Sequence, residues 1–163
     1  MNLKIIGTRL SKPEAPGYPD KCRIEDVENG MVLFDSFSFR TNPNPGKMDG
    51  TTWIPWRLCY GQIFPGEYHF ECVPSKKHGK CLLLNGGGDC KTTFQNLNPK
   101  TQRPGSYTAQ EVEIHCGERG ESDPKGPWPG SAACQTWDPE VWPAFISHFE
   151  LNDRGIYSLV DES

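Results

Sequence analysis

Two side chains in the last third of this 163-residue chain, His115 and Cys134, are of the types that together perform nucleophilic acyl chemistry. A cysteine attacks a carbonyl as its thiolate, and an imidazole within reach takes up the proton. The reaction also needs N–H donors for the oxygen that becomes charged. His115 closes the segment Glu111-Val112-Glu113-Ile114-His115, and Cys134 lies in Ser131-Ala132-Ala133-Cys134-Gln135, beyond a Gly/Pro-rich stretch from Gly117 to Gly130. No other part of the sequence combines a nucleophile, a base and a loop able to bring them together. Each residue also has a plain structural reading, because buried cysteines are common and mostly inert. Trp128, in Gly126-Pro127-Trp128-Pro129-Gly130, is a candidate wall for a substrate. His69 and His78 read as surface or packing residues, and His148 as solvent-facing.

The elements that must position this pair are mostly strands. Gly 17 and Pro 15 are spread through the chain, which breaks helices and favours short strands joined by turns. Leu3 to Leu10 reads as a first strand. Cys22 to Val27 and Met31 to Phe39 read as a hairpin about Asn29-Gly30, with a bulge near Asp35-Ser36. Gly66 to Val73 and Lys80 to Asn85 follow as strands. The alternation over Glu111 to His115 predicts a half-buried strand. Asp138-Pro139 reads as an N-cap followed by a proline at the first helical position. Val141, Trp142, Phe145, Ile146 and Phe149 then recur at helical spacing, so one amphipathic helix is expected from Asp138 to Glu150, ended by Gly155 and followed by a strand over Ile156 to Val160. The expected fold is mainly β, a sandwich or barrel-like single domain over 1–163 with one main helix near the C-terminus.

Composition excludes several function classes. A net charge of −4 without a Lys/Arg cluster argues against a nucleic-acid partner, which needs many cations to displace counterions. The short basic run Lys76-Lys77-His78-Gly79-Lys80 reads as a solvated turn. No segment has the roughly 20 apolar residues of a membrane helix, so no membrane insertion is expected. The opening residues lack the apolar stretch of an export signal, so synthesis in the cytoplasm is expected. The seven cysteines, at 22, 59, 72, 81, 90, 116 and 134, are an odd number, so at least one stays outside any intrachain disulfide.

The order Ile114-His115-Cys116-Gly117, then Ser131-Ala132-Ala133-Cys134, then a helix and a last strand, resembles the L,D-transpeptidase (YkuD-like) family. Fifteen residues separate His115 from Ser131, within that family's spacing. Ile63-Phe64-Pro65-Gly66-Glu67-Tyr68 is similar to a strand opening found in small phage-type relatives. The likeness covers the last third of the chain and, more weakly, the part from residue 63. The resemblance implies Cys134 as nucleophile, His115 as base and Ser131 as a residue that orients the base or lines the loop. It implies an oxyanion hole from the backbone amides of Ala133 and Cys134, with Trp128, Gly117 and Gln135 about the substrate. Ala132 and Ala133 stand where the family motif has His and Gly, and Gln135-Thr136-Trp137 replaces its usual tail.

The activity so implied is acyl transfer or hydrolysis on peptidoglycan stem peptides through a Cys134 thioester, with no cofactor and no metal. Such a protein would act in the periplasm or cell wall once delivered or released, with an immunity or delivery protein as a possible further partner. A different reading, favoured by Ala132-Ala133, is a non-catalytic β module that binds cell-wall glycan or a protein in a phage or secretion system. A metal site on His115, Cys116 and Cys134 is a third reading, although neighbouring His115 and Cys116 point to opposite faces of a strand.

Overall fold

The structure is a computed structural model that describes residues 2–10, 17–42, 46–49, 52–55, 62–93, 107–117 and 134–163. Ser131, Ala133 and Trp128 lie outside the described residues. Twelve strands occur among the described residues: β1 (Leu3–Arg9), β2 (Asp20–Asp26), β3 (Val32–Arg40), β4 (Gly46–Asp49), β5 (Thr52–Pro55), β6 (Gly66–Ser75), β7 (Gly79–Leu84), β8 (Cys90–Lys91), β9 (Thr108–Ala109), β10 (Glu113–Cys116), β11 (Gln135–Trp137) and β12 (Arg154–Asp161). Eight of them close into a barrel in the order β1-β12-β6-β7-β10-β11-β3-β2. Two pairs are parallel, β1 with β12 and β10 with β11, and the remaining barrel pairs are antiparallel. The expectation of a mainly β, barrel-like domain with one helix near the C-terminus holds.

Period-2 alternation explains why these segments become strands. β1 and β2 each alternate strictly between buried and half-buried residues, as strands with one face on a core must. Ile5, Ile24, Phe70, Cys72, Leu82, Leu84, Ile114 and Tyr157 fill the interior. The β2–β3 hairpin turns through Val27 to Met31, closed by Asp26 N–H to the Met31 carbonyl and Gly30 N–H to the Asp26 carbonyl. Its register shifts between Asp20 and Cys22, opposite Phe39 and Ser36, which places the bulge just after Ser36. The bulge separates Phe37, 64% exposed, from Phe39, which is fully buried.

The helix is shorter than its apolar stripe suggests. Within the expected stretch, Trp142–Ile146 (α1) is helical, and the flanking residues form turns. Pro143 brings no N–H to the helix, and Asp138 spends its carboxylate on an Asx turn to the Glu140 N–H rather than on a helix cap. The stripe nevertheless does what its spacing predicts. Trp142, Phe145, Ile146 and Phe149 are all buried, Phe145 against Phe34 and Trp137 and Phe149 against Phe70.

Gly155, expected to end the helix, instead lies in β12. A Cβ there would come within 2.5 Å of the Leu3 carbonyl oxygen and 2.7 Å of the Phe70 ring. The parallel β1–β12 pairing passes through this contact, and a backbone oxygen cannot swing aside as a side chain can. Gly155→Ala should therefore cost about 1–3 kcal/mol of stability, read as a lower urea midpoint; an unchanged midpoint would show that β12 can move away from β1.

Candidate functional site

β10 carries His115, and Cys134 immediately precedes β11. Both strands are short, and their parallel pairing sets Ile114 beside Gln135, His115 beside Thr136 and Cys116 beside Trp137. Ile114 is wholly buried in the core, which turns His115 away from the barrel interior. Gln135 also points inward, where its amide donates to the Thr41 carbonyl and accepts from the Tyr157 hydroxyl. Cys134 and Thr136, on either side of it, are thereby directed to the His115 side of the sheet. His115 and Cys134 are thereby diagonal neighbours across the strand pair, positions that lie about 7–8 Å apart.

The sulfur of Cys134 is fixed by the strand beside it. Its Sγ accepts the backbone N–H of Glu113 at 3.4 Å, and the residue is 6% exposed. The His115 ring is half-buried, and its Nδ1 lies 2.7 Å from the Cys116 carbonyl oxygen. A carbonyl can only accept, so Nδ1 carries the proton and Nε2 is left as the basic nitrogen of the neutral ring. That is the tautomer a general base at Nε2 requires.

A second thiol adjoins this face. Glu113 pairs with Leu83 and Ile114 with Leu82, and the next residues on the two strands are His115 and Cys81. Burial pushes the Cys81 thiol up to about 12, and Glu113, by its charge and a hydrogen bond, then Cys72 and Cys134 add to the rise. Cys81 is therefore held as an inert thiol beside Cys134. His78 also joins the group. Its ring stacks on His115 with centroids 5.3 Å apart and planes 13° from parallel. His78 sits in the turn between β6 and β7, in a basic run that reads as solvated, and no local pattern marks a turn histidine that folds back onto another strand.

Two expected substrate contacts are corrected by the packing. Gln135 is fully buried and hydrogen-bonded inside the barrel, so it positions β11 and does not face a substrate. Gly117 is buried as well; its N–H bonds the Trp137 carbonyl at 2.7 Å, and a Cβ would strike the Tyr18 hydroxyl. Its role is a close approach of backbone to ring. Cys134 precedes a strand rather than the helix. Among the described residues none of the cysteines is in a disulfide, no group of three or more His, Cys, Asp or Glu side chains could hold a metal ion, and no helix is long and apolar enough to cross a membrane. No protein-family model, curated protein or solved structure matches this chain.

The thiols should separate by reactivity. Burial, with Asp35 adding to it, raises Cys22 well above the ordinary range, and Cys81 stands near 12. Brief iodoacetamide treatment at neutral pH should modify Cys134 and leave Cys22 and Cys81 untouched in a peptide map. Labelling of Cys81 with Cys134 intact would reverse the assignment of the reactive thiol.

Proposed function

We propose that this protein is a cysteine-dependent acyl-transferase of the L,D-transpeptidase kind, acting on peptidoglycan stem peptides. The observation that carries the reading is the His115 Nδ1 contact with the Cys116 carbonyl, on the strand that also holds the Cys134 sulfur through the Glu113 N–H. It leaves the basic nitrogen of a strand-end histidine available on the face toward which the cysteine is directed.

In this mechanism Nε2 of His115 takes the proton of the Cys134 thiol as sulfur attacks the carbonyl of the L-centre next to a terminal D-amino acid. The carbon–nitrogen bond breaks, and the imidazolium returns the proton to the leaving amine, which departs as the free D-amino acid. The thioester is then attacked by an amine, giving a cross-link or an exchanged residue, or by water, giving a shortened peptide. His115 takes the proton of that second nucleophile, and the sulfur leaves to regenerate the thiol. The chemistry needs no cofactor. Its setting is the cell wall, reached by delivery or release.

A second reading is supported by Ala132-Ala133 in place of the family's His-Gly and by the burial of Cys134. Under it the barrel binds cell-wall material without reacting. The two separate cleanly when the protein is incubated with disaccharide tetrapeptides and a free D-amino acid and the products are followed by mass. Acyl transfer predicts loss or exchange of the terminal D-residue, abolished by Cys134→Ala. His115→Ala should slow it by about 10²–10⁴-fold, the usual worth of a general base. Sedimentation with intact peptidoglycan but no product would establish the binding module instead.

A further inference from the structure

Imidazole χ2 is a soft, nearly two-fold torsion, and a single hydrogen bond is a weak restraint on it. Turning His115 about χ2 would break the Nδ1 contact with the Cys116 carbonyl and carry Nε2 to a different place. A flat partner on the ring face removes that freedom. Among the described residues the other aromatic contacts are tilted or edge-on, between 34° and 85°. The His78–His115 pair, at 13°, lies face to face. His78 is itself held, because its N–H donates to the Ser75 hydroxyl in the turn and the turn is fixed by the Ser75–Gly79 pairing of β6 with β7.

We propose that His78 is a positioning residue of the Cys134–His115 site: stacked on His115, it holds that ring in the plane where Nδ1–H meets the Cys116 carbonyl and Nε2 remains the proton acceptor. The catalytic use of this rests on the acyl-transfer reading, but the positioning itself does not. The stack also suits two uncharged rings. Burial pushes the His78 pKa down, and His115 and then Lys77 lower it further, so the partner ring stays neutral.

The test uses the full chain and a signal independent of turnover. Long-range ¹H–¹⁵N NMR reports which nitrogen of His115 carries the proton, and the rate of iodoacetamide capture at Cys134 reports the state of the thiol. Wild type should show the Nδ1–H form of His115. In His78→Ala the Nε2–H form should appear and capture at Cys134 should slow on the order of tenfold. His78→Phe, which keeps a flat ring, should restore both. His78→Leu fills the volume without a flat face and should behave like the alanine variant; it also decides the matter if the alanine variant does not fold. An unchanged His115 tautomer in a folded Ala or Leu variant, or a Phe variant no better than Leu, overturns the proposal. The expected tautomer pattern in a protein that turns over no peptide would uphold the positioning role and sink the acyl-transfer reading.

Discussion

The barrel is tied at one buried threonine. Thr41, just past β3, gives its hydroxyl to the Asp20 carboxylate at 2.7 Å and its N–H to the same oxygen at 2.8 Å. Its hydroxyl oxygen and carbonyl accept from Arg9 at 3.1 and 3.0 Å, and the carbonyl also accepts from Gln135. Gln135 in turn accepts from Tyr157. Strands β1, β2, β11 and β12 thus meet at the end of β3 through groups that are almost wholly buried. Removing one partner from such a network leaves a buried polar atom unpaired, at a cost of about 1–3 kcal/mol. The network therefore fixes which way β11 faces.

That constraint explains how a three-residue strand can orient the cysteine that precedes it. β11 has too few ladder bonds to set its own register. Gln135 pins one end of it, and Trp137 the other, packed against Phe34, Phe39 and Phe145. With residues 135 and 137 facing inward, Cys134 must face the His115 side. A register slip by one residue would put Cys134 in the core and Gln135 outside.

The long strands were legible because each has one buried face and so a clean two-residue period, as in Leu3 to Arg9 and Gly66 to Ser75. The stripe of α1 was legible as a buried face but not as a length, since Pro143 and the Asx turn at Asp138 outweigh the spacing. β11 was invisible, because three residues cannot display a period. Gln135 was expected about the substrate from the family resemblance, and only the tertiary network shows its buried partners. Of the proposed site, the candidates His115 and Cys134 could be picked out by residue type and spacing. The Cys116 carbonyl, the Glu113 N–H and the His78 stack could not, because two are backbone groups and the third arrives from a distant turn.

The central claim is that the β10–β11 register makes Cys134 a nucleophile served by His115. Intact-protein mass after incubation with a carbapenem, whose strained β-lactam carbonyl acylates such thiols, tests it most directly. The account predicts one covalent adduct per chain, mapped to Cys134, absent in Cys134→Ala and formed much more slowly in His115→Ala. No adduct on the folded wild-type protein, or one that persists in Cys134→Ala, would contradict it.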